Sequence, residues 1–335
     1  MTRFHIISAT LGMMLCACGV ESSDPETTPP TTTTEQPGMS LQGMSLQGMS
    51  MQGILVAGAT KGGAPLDHVR VEHGEVVAEQ NGATLRGDDL VGAHFQAQLR
   101  NTSVSPPATT QIEYRIAAIR PELGRYDPTG TGDTFLYTLE QWVADTASWQ
   151  PGCPTDTDGR NVAIPLAAVW DDHGDRSVSS TMFTFGCTTG VIAKCYRWGY
   201  RPWVTGYGDL TTMHWACTRM ARADYCGNGQ PHTHDGTMID MWDTLPPPGP
   251  IQRRTPILQS LGMMFEAGWD TGGAVCLSRA RWLLDKDGLL AALCPDRLVP
   301  PGLLGATVCD TVADVLTRHP DARLFNASYL NVSLP

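Results

Sequence analysis

The chain has 335 residues, with 34 acidic against 23 basic side chains and a formal charge of −11. An acid excess of this size, with no basic run, lacks the electrostatic footprint of a nucleic-acid binder. No segment beyond the first residues approaches the roughly 20 apolar residues of a bilayer-spanning helix, so no spanning helix is expected there.

Residues 1–17 read as an export leader. Arg3 supplies its positive charge, and Ile6, Ile7, Ala9, Leu11, Met13 and Met14 its short apolar stretch. It ends in Leu15-Cys16-Ala17-Cys18, which resembles the bacterial lipobox, with Leu at −3, a small residue at −1 and Cys18 as the lipidated residue. Cys16 fits worse, because bulky Leu15 would precede it. At about 0.8 kcal/mol per buried methylene, three acyl chains on Cys18 would make a permanent membrane anchor. Gly19 follows without an Asp retention signal, and the likeness to other lipoproteins implies the outer membrane or cell surface.

Residues 18–63 are expected to be the lipidated Cys, a stalk and repeats. Residues 19–38, rich in Thr, Pro, Glu and Ser, have almost nothing to bury and read as disordered. A beat of five follows at Met39-Ser-Leu-Gln-Gly43, Met44-Ser-Leu-Gln-Gly48 and Met49-Ser-Met-Gln-Gly53, and returns across residues 83–97. The beat resembles pentapeptide repeats, but so few units cannot stack a continuous core. Residues 39–58 are therefore expected to be extended linker, and residues 83–97 turns inside a small β region over residues 64–130. Alternation at Val69 and Val71, and at Ile112, Tyr114 and Ile116, marks half-buried strands there.

From residue 131 to 295 the composition changes. Phe135, Tyr137 and Leu139 extend the period-two pattern, and eight cysteines follow: Cys153, Cys187, Cys195, Cys217, Cys226, Cys276, Cys294 and Cys309. An even number in an exported chain reads as a disulfide framework, with about a hundred possible connectivities. Residues 181–187 read as a strand. Residues 189–198 read as a helix stopped by Gly199, and residues 210–223 as a second helix capped by Asp209 or Thr211. A bridge between these helices, Cys195 to Cys217, is one option. Residues 296–335 form an extension whose helix, with Val308, Val312, Val315 and Leu316, would be capped by Thr307.

Candidate chemistry is sparse, since no H-E-x-x-H, G-x-S-x-G, Walker A loop or G-x-G-x-x-G is present. Asp224 continues the apolar stripe of Met213, Cys217 and Met220, so it must be hydrogen-bonded if buried. It either fastens the helix end to the turn Gly227-Asn-Gly229 or lines a catalytic site with His214. His232, His234 and Asp235 are candidate metal ligands. Cys217 or Cys226 with His214 would be a candidate nucleophile pair. Trp198, Tyr200, Trp203, Tyr207 and Trp215, with Arg197 and Arg201 among them, are either core or a binding face for sugar or peptide.

The string Thr218-Arg-Met-Ala-Arg-Ala-Asp-Tyr-Cys-Gly-Asn-Gly229 resembles the signature of the ADYC domain, named for its Ala-Asp-Tyr-Cys run, here Ala223 to Cys226. Phe183-Thr-Phe-Gly-Cys187, His214-Trp-Ala-Cys217, Phe265-Glu-Ala-Gly-Trp269 and Gly273-Ala-Val-Cys276 resemble the same family, over roughly residues 135–285. The resemblance supports export and brings no catalytic residue with it. The expected fold is α+β: a disulfide-stapled domain of short strands and two or more helices after a small β region. The expected function is a non-enzymatic, lipid-anchored surface module that binds a ligand or protein partner without a cofactor. The alternative is a hydrolase assisted by a metal at His232, His234 and Asp235.

Overall fold

Strands dominate the described residues, and six of them close into a ring. The structure, a computed structural model, describes residues 50–101, 108–122, 126–127, 133–171, 173–233, 237–282, 294 and 309–329. Residues 1–49, on which the expected leader, lipidated Cys18, stalk and most of the repeats fall, lie outside these. Strands are numbered in chain order. β1 (Ser50–Leu55), β7 (Ala93–Asn101), β8 (Ala108–Pro121), β9 (Phe135–Val143), β11 (Val162–Leu166) and β14 (Met182–Cys187) form a closed antiparallel barrel. β1 pairs with β14 along one side and meets β7 at Ile54 opposite Ala97 on the other, which leaves this ring without an open edge.

The pleat sends alternate side chains inward. Phe95, Tyr114, Tyr137, Phe183 and Phe185 fill the barrel with edge-on and tilted ring contacts. Burying each aromatic is worth about 1.5–3 kcal/mol. Short strands decorate the barrel: β2 (Thr60–Lys61) and β3 (Ala64–Pro65) extend β7, and β10 (Ser148–Pro151) pairs with β9. β4 (Asp67–Glu72), β5 (Glu75–Gln80) and β6 (Ala83–Leu85) form a separate three-stranded sheet. It is tied to the barrel by the Val76 amide, which donates to the Tyr137 hydroxyl at 2.9 Å. β12 (Val169–Trp170) and β13 (Arg176–Ser177) make a small hairpin.

The α+β expectation is thereby corrected to a mostly β fold, with 39% strand against 18% helix and a closed six-strand barrel. Strands buried on both faces hide from a period-two reading. All five residues of β11, Val-Ala-Ile-Pro-Leu, are buried. Residues 50–55, read as linker, supply barrel strand β1, and Ala93 to Ala97, read as turns, begin β7.

A second sheet runs in the order β15 (Ile239–Asp243), β18 (Leu324–Ser328), β16 (Met264–Asp270), β17 (Gly273–Leu277). Helix α1 (Val191–Arg197) packs on the barrel exterior with Leu136, Ile164 and Leu166. Helix α2 (Leu210–Arg222) packs between α1 and the second sheet. Short helix α3 (Pro256–Ser260) precedes β16. Helix α4 (Val312–Arg318) places Val315 in the core on the sheet's other face. Its cap is Thr311, reciprocally bonded with Asp314, and not Thr307. No described helix is long and apolar enough to cross a membrane.

The eight cysteines pair as Cys153–Cys187, Cys195–Cys217, Cys226–Cys294 and Cys276–Cys309, with Cα atoms 5.6, 5.9, 5.3 and 5.7 Å apart. These lie within the 4.4–6.8 Å typical of disulfides. The second pair joins α1 to α2, and the first joins the loop after β10 to the end of β14.

Candidate functional site

Helix α2 starts where Asp209 accepts hydrogen bonds from the Thr211 and Thr212 amides. It ends at Ala223, which adopts φ 53°, the left-handed region. A residue with a Cβ pays about 1–2 kcal/mol there, so its surroundings must hold it. They do so through the next three residues. Asp224 is fully buried and accepts from Arg219 Nη1 at 2.6 Å and from the Asn228 and Gly229 amides at 3.1 Å each. Tyr225 stacks on Trp269 of β16, with centroids 5.3 Å apart and planes at 25°. Its hydroxyl donates to Glu266 at 3.0 Å and accepts from the Arg281 amide at 2.8 Å. Cys226 bridges to Cys294. The Ala-Asp-Tyr-Cys run thus turns the chain, neutralises a buried arginine, stacks on the second sheet and staples.

Four buried charges surround it. Arg219, besides Asp224, donates to the Thr271 carbonyl at 2.9 Å and to Asp175 at 2.6 Å. Arg222 donates to the Gly229 carbonyl, and burial lowers its guanidinium to about 10, with Asp224 opposing that shift. Arg281 binds both oxygens of Glu266, at 2.9 and 3.1 Å, and donates to the Met220 carbonyl at 3.0 Å and the Ala221 carbonyl at 3.3 Å. Burial pushes the Glu266 carboxyl up, but the Arg281 charge outweighs it and holds it below the usual range. Carbonyls left over at the end of α2 thereby find a cation, which suits the helix dipole.

Of the other predicted site residues, His214 lies apart from this cluster and His232 borders it. His214 is buried and points at α1, with Nε2 2.9 Å from the Ile192 carbonyl and its ring edge-on to Tyr196 at 4.5 Å. Burial drives its imidazole down to about 3, despite the Ile192 hydrogen bond. It is neutral at pH 7, with Nε2–H as the donor. Asp224 lies past the end of α2 at Arg222, which is itself eight residues, roughly 12 Å of rise, beyond His214, and their partners are different. His232 is buried, with its amide donating to the Arg222 carbonyl at 3.1 Å and its ring 5.7 Å from Tyr225. His234 and Asp235 lie outside the described residues. Among the described residues no three His, Cys, Asp or Glu side chains converge as metal ligands. Cys217 and Cys226 each face a cysteine partner, and His214 bonds to neither.

The aromatic group is turned largely inward. Tyr200 is closed to solvent and donates to Asp243 at 3.1 Å. Trp198, Trp203 and Tyr207 are half-buried and pack against the core under α2. Trp203 donates to Asp133, and half-buried Trp215 donates to the Gly174 carbonyl at 3.0 Å. Arg201 is sealed, with Asp127 and Asp133 each 2.7 Å away. Arg197 binds Glu122 at 2.8 Å and lies 4.4 Å from the Tyr126 ring centroid.

Two accessible features were not anticipated. One is an open cleft of about 630 Å³ beside β4, lined by Val56, Leu66, His68, Val69, Arg70 and Glu79. The other is a pair of tryptophans, Trp142 on β9 and Trp149 on β10, on the barrel's outer wall. In the sequence, Glu140-Gln-Trp-Val143 does continue the alternation of Phe135, Tyr137 and Leu139, and this places Trp142 on the polar side.

No curated protein and no solved structure matches the chain. The model of one family, the ADYC domain, matches residues 87–283. That span starts before β7 and reaches past Arg281, so it takes in most of the barrel, both central helices and the clamp around Asp224. With more than half of its length in that match, the chain belongs to the ADYC domain family.

Proposed function

We propose that this protein is an exported lipoprotein, anchored through Cys18 at the outer membrane or cell surface, whose folded part binds a ligand or partner without transforming it. The observation that carries the reading is Asp224. Its carboxylate is sealed from solvent and bound by a guanidinium and two amides, which fits a clamp rather than a proton carrier. His214 supports the same reading, being buried, neutral and directed at a backbone carbonyl. The lipobox-like Leu15-Cys16-Ala17-Cys18 and the Thr/Pro-rich stretch after it support an anchor with a spacer.

Two measurements test this. Bacteria expressing the chain are fed an alkyne-tagged fatty acid, and the protein takes up label that Cys18→Ser abolishes. Label persisting in that variant would remove the anchor. Protein purified from an oxidising compartment is then incubated with ester, peptide and glycoside substrates. No turnover is expected. Turnover that a folded His214→Gln variant loses would replace the binding module with an enzyme.

A further inference from the structure

Trp142 is the aromatic among the exposed large apolar side chains of the described residues, with 38% of its surface open. An indole left more than a third open forgoes part of what an aromatic gains by burial, so its setting matters. Elsewhere α1 covers the barrel exterior. Here β7, β8, β9 and β10 present His94, Glu113, Arg115, Glu140, Trp142 and Trp149, alternating with interior Phe95, Tyr114 and Leu139.

These side chains hold one another in place. Trp149 is the cross-strand partner of Trp142, with ring centroids 5.4 Å apart and planes at 63°. The Arg115 guanidinium lies 4.4 Å from the Trp149 centroid, and its Nε donates to Glu140 Oε2 at 2.6 Å. His94 meets the Trp149 ring edge-on at 5.4 Å, and its Nδ1 lies 2.6 Å from Glu113 Oε1. Trp149 is therefore flanked by two anchored side chains and forms a fixed backing for Trp142. A surface ordered before it meets a ligand loses little entropy on binding.

Three features select the ligand. The indole stands on an open wall, where a flat ring can stack, whereas an aliphatic chain needs a concave enclosure. The Arg115 donors lie over Trp149, next to Trp142 in the ring pair, and Arg115 and its Glu140 acceptor share the outer face of β8 and β9 with Trp142, where a hydroxyl group can use both kinds. The Arg115 guanidinium is paired with Glu140, so the wall presents no cluster of cations to draw a polyanion. We infer that Trp142, backed by Trp149 and flanked by Arg115 and Glu140, is a stacking platform for a neutral carbohydrate chain. This rests on the binding-module reading above and gives that module a site and a ligand class. The wall lies inside the matched family region, unlike most of the cleft beside β4.

The test uses the full chain, expressed with its own leader and purified from an oxidising compartment. Malto-, cello- and chito-oligosaccharides are titrated in while tryptophan emission and heat are recorded. Saturable binding of at least one series is expected, weakened roughly tenfold or more in Trp142→Ala. Trp142→Phe, which keeps a ring, retains most of the affinity. Trp198→Phe, away from the wall, binds like the parent. An unchanged melting temperature in Trp142→Ala shows that the loss is not unfolding. Silence of the parent protein toward every series overturns the proposal, as does equal affinity in Trp142→Ala. Capture of a cationic peptide or a second copy through Trp142, with the sugars silent, overturns the ligand class and leaves the binding module standing. Cleavage of a sugar by the parent protein overturns the module itself.

Discussion

Gly227 and Gly272 approach so closely that a Cβ on Gly227 would occupy the space of the Gly272 carbonyl oxygen. Gly227 also has φ +67°, a conformation that side chains resist. The turn after the Ala-Asp-Tyr-Cys run is thus pressed against the β16–β17 hairpin, where the Ala274 amide donates to the Tyr225 carbonyl at 3.0 Å. Gly227→Ala is expected to cost upward of about 3 kcal/mol, because backbone must move against backbone. Gly82 has a similar φ of +76° with open space around it. Gly82→Ala should cost only about 1 kcal/mol. Urea unfolding of both variants makes the comparison, and equal losses would show that the close approach contributes nothing.

Asp224 and Arg219 form a buried ion pair, and removing one member strands the other. Asp224→Ala leaves the guanidinium facing Asp175 alone and frees the Asn228 and Gly229 amides. A loss of about 2–4 kcal/mol is expected. Asp224→Asn keeps the shape and one acceptor oxygen, and should fall between. Differential scanning calorimetry reads the order, and an Asn variant less stable than Ala would contradict the clamp.

His214 predicts how stability depends on pH. Its folded-state imidazole is lowered to about 3 from an ordinary value of 6.5. Between those values the unfolded chain binds a proton that the folded chain refuses, so stability rises with pH there and is lost as pH falls. The slope from this group is roughly 1.4 kcal/mol per pH unit below 6.5. Lowered carboxylates such as Glu266 add loss in the same direction once their own range is reached. His214→Gln should flatten the curve between pH 6.5 and 4 in thermal melts, and an unchanged slope would assign the acid sensitivity elsewhere.

The disulfides differ in the loops they close. Cys195 and Cys217 are separated by 22 residues and Cys226 and Cys294 by 68. Chain-entropy arguments assign about 3 kcal/mol to the shorter loop and about 4 kcal/mol to the longer. Paired alanine substitutions, compared by denaturant midpoints, should keep that order. The Cys195–Cys217 pair should additionally loosen α1 from α2, seen as faster amide exchange at Lys194 to Arg197.

The parts of the fold visible in the sequence are those with local signals. Helix α2, the cysteine framework and the alternation through Ile112 to Ile116 and Phe135 to Leu139 follow from spacing, and the structure chooses Asp209 over Thr211 as the cap of α2. What was hidden depends on distant partners. β1 carries Met-Gln-Gly, which favours no periodicity, and becomes a strand because β14 and β7 flank it. Arg219, Arg222 and Arg281 are each about 1% exposed, although composition places arginine on the surface. The tryptophans show the same limit. Trp198, Trp203 and Trp215, clustered with Tyr200 and Tyr207, give no sign in the sequence of which way they face, whereas the pleat that turns Trp142 outward is set by the barrel.

β18 lies between β15 and β16, yet it is synthesised after both. A ribosome delivers Leu324 to Ser328 once every other described strand has emerged. Until then the sheet beneath α2 has a missing middle, and Trp242, Phe265 and Trp269 wait without the neighbours Phe325 and Asn326 that later cover them. The middle of this sheet is therefore filled only when the last described strand joins, whereas all six strands of the barrel are complete by Cys187. β18 acts as the closing stave that locks this half into place.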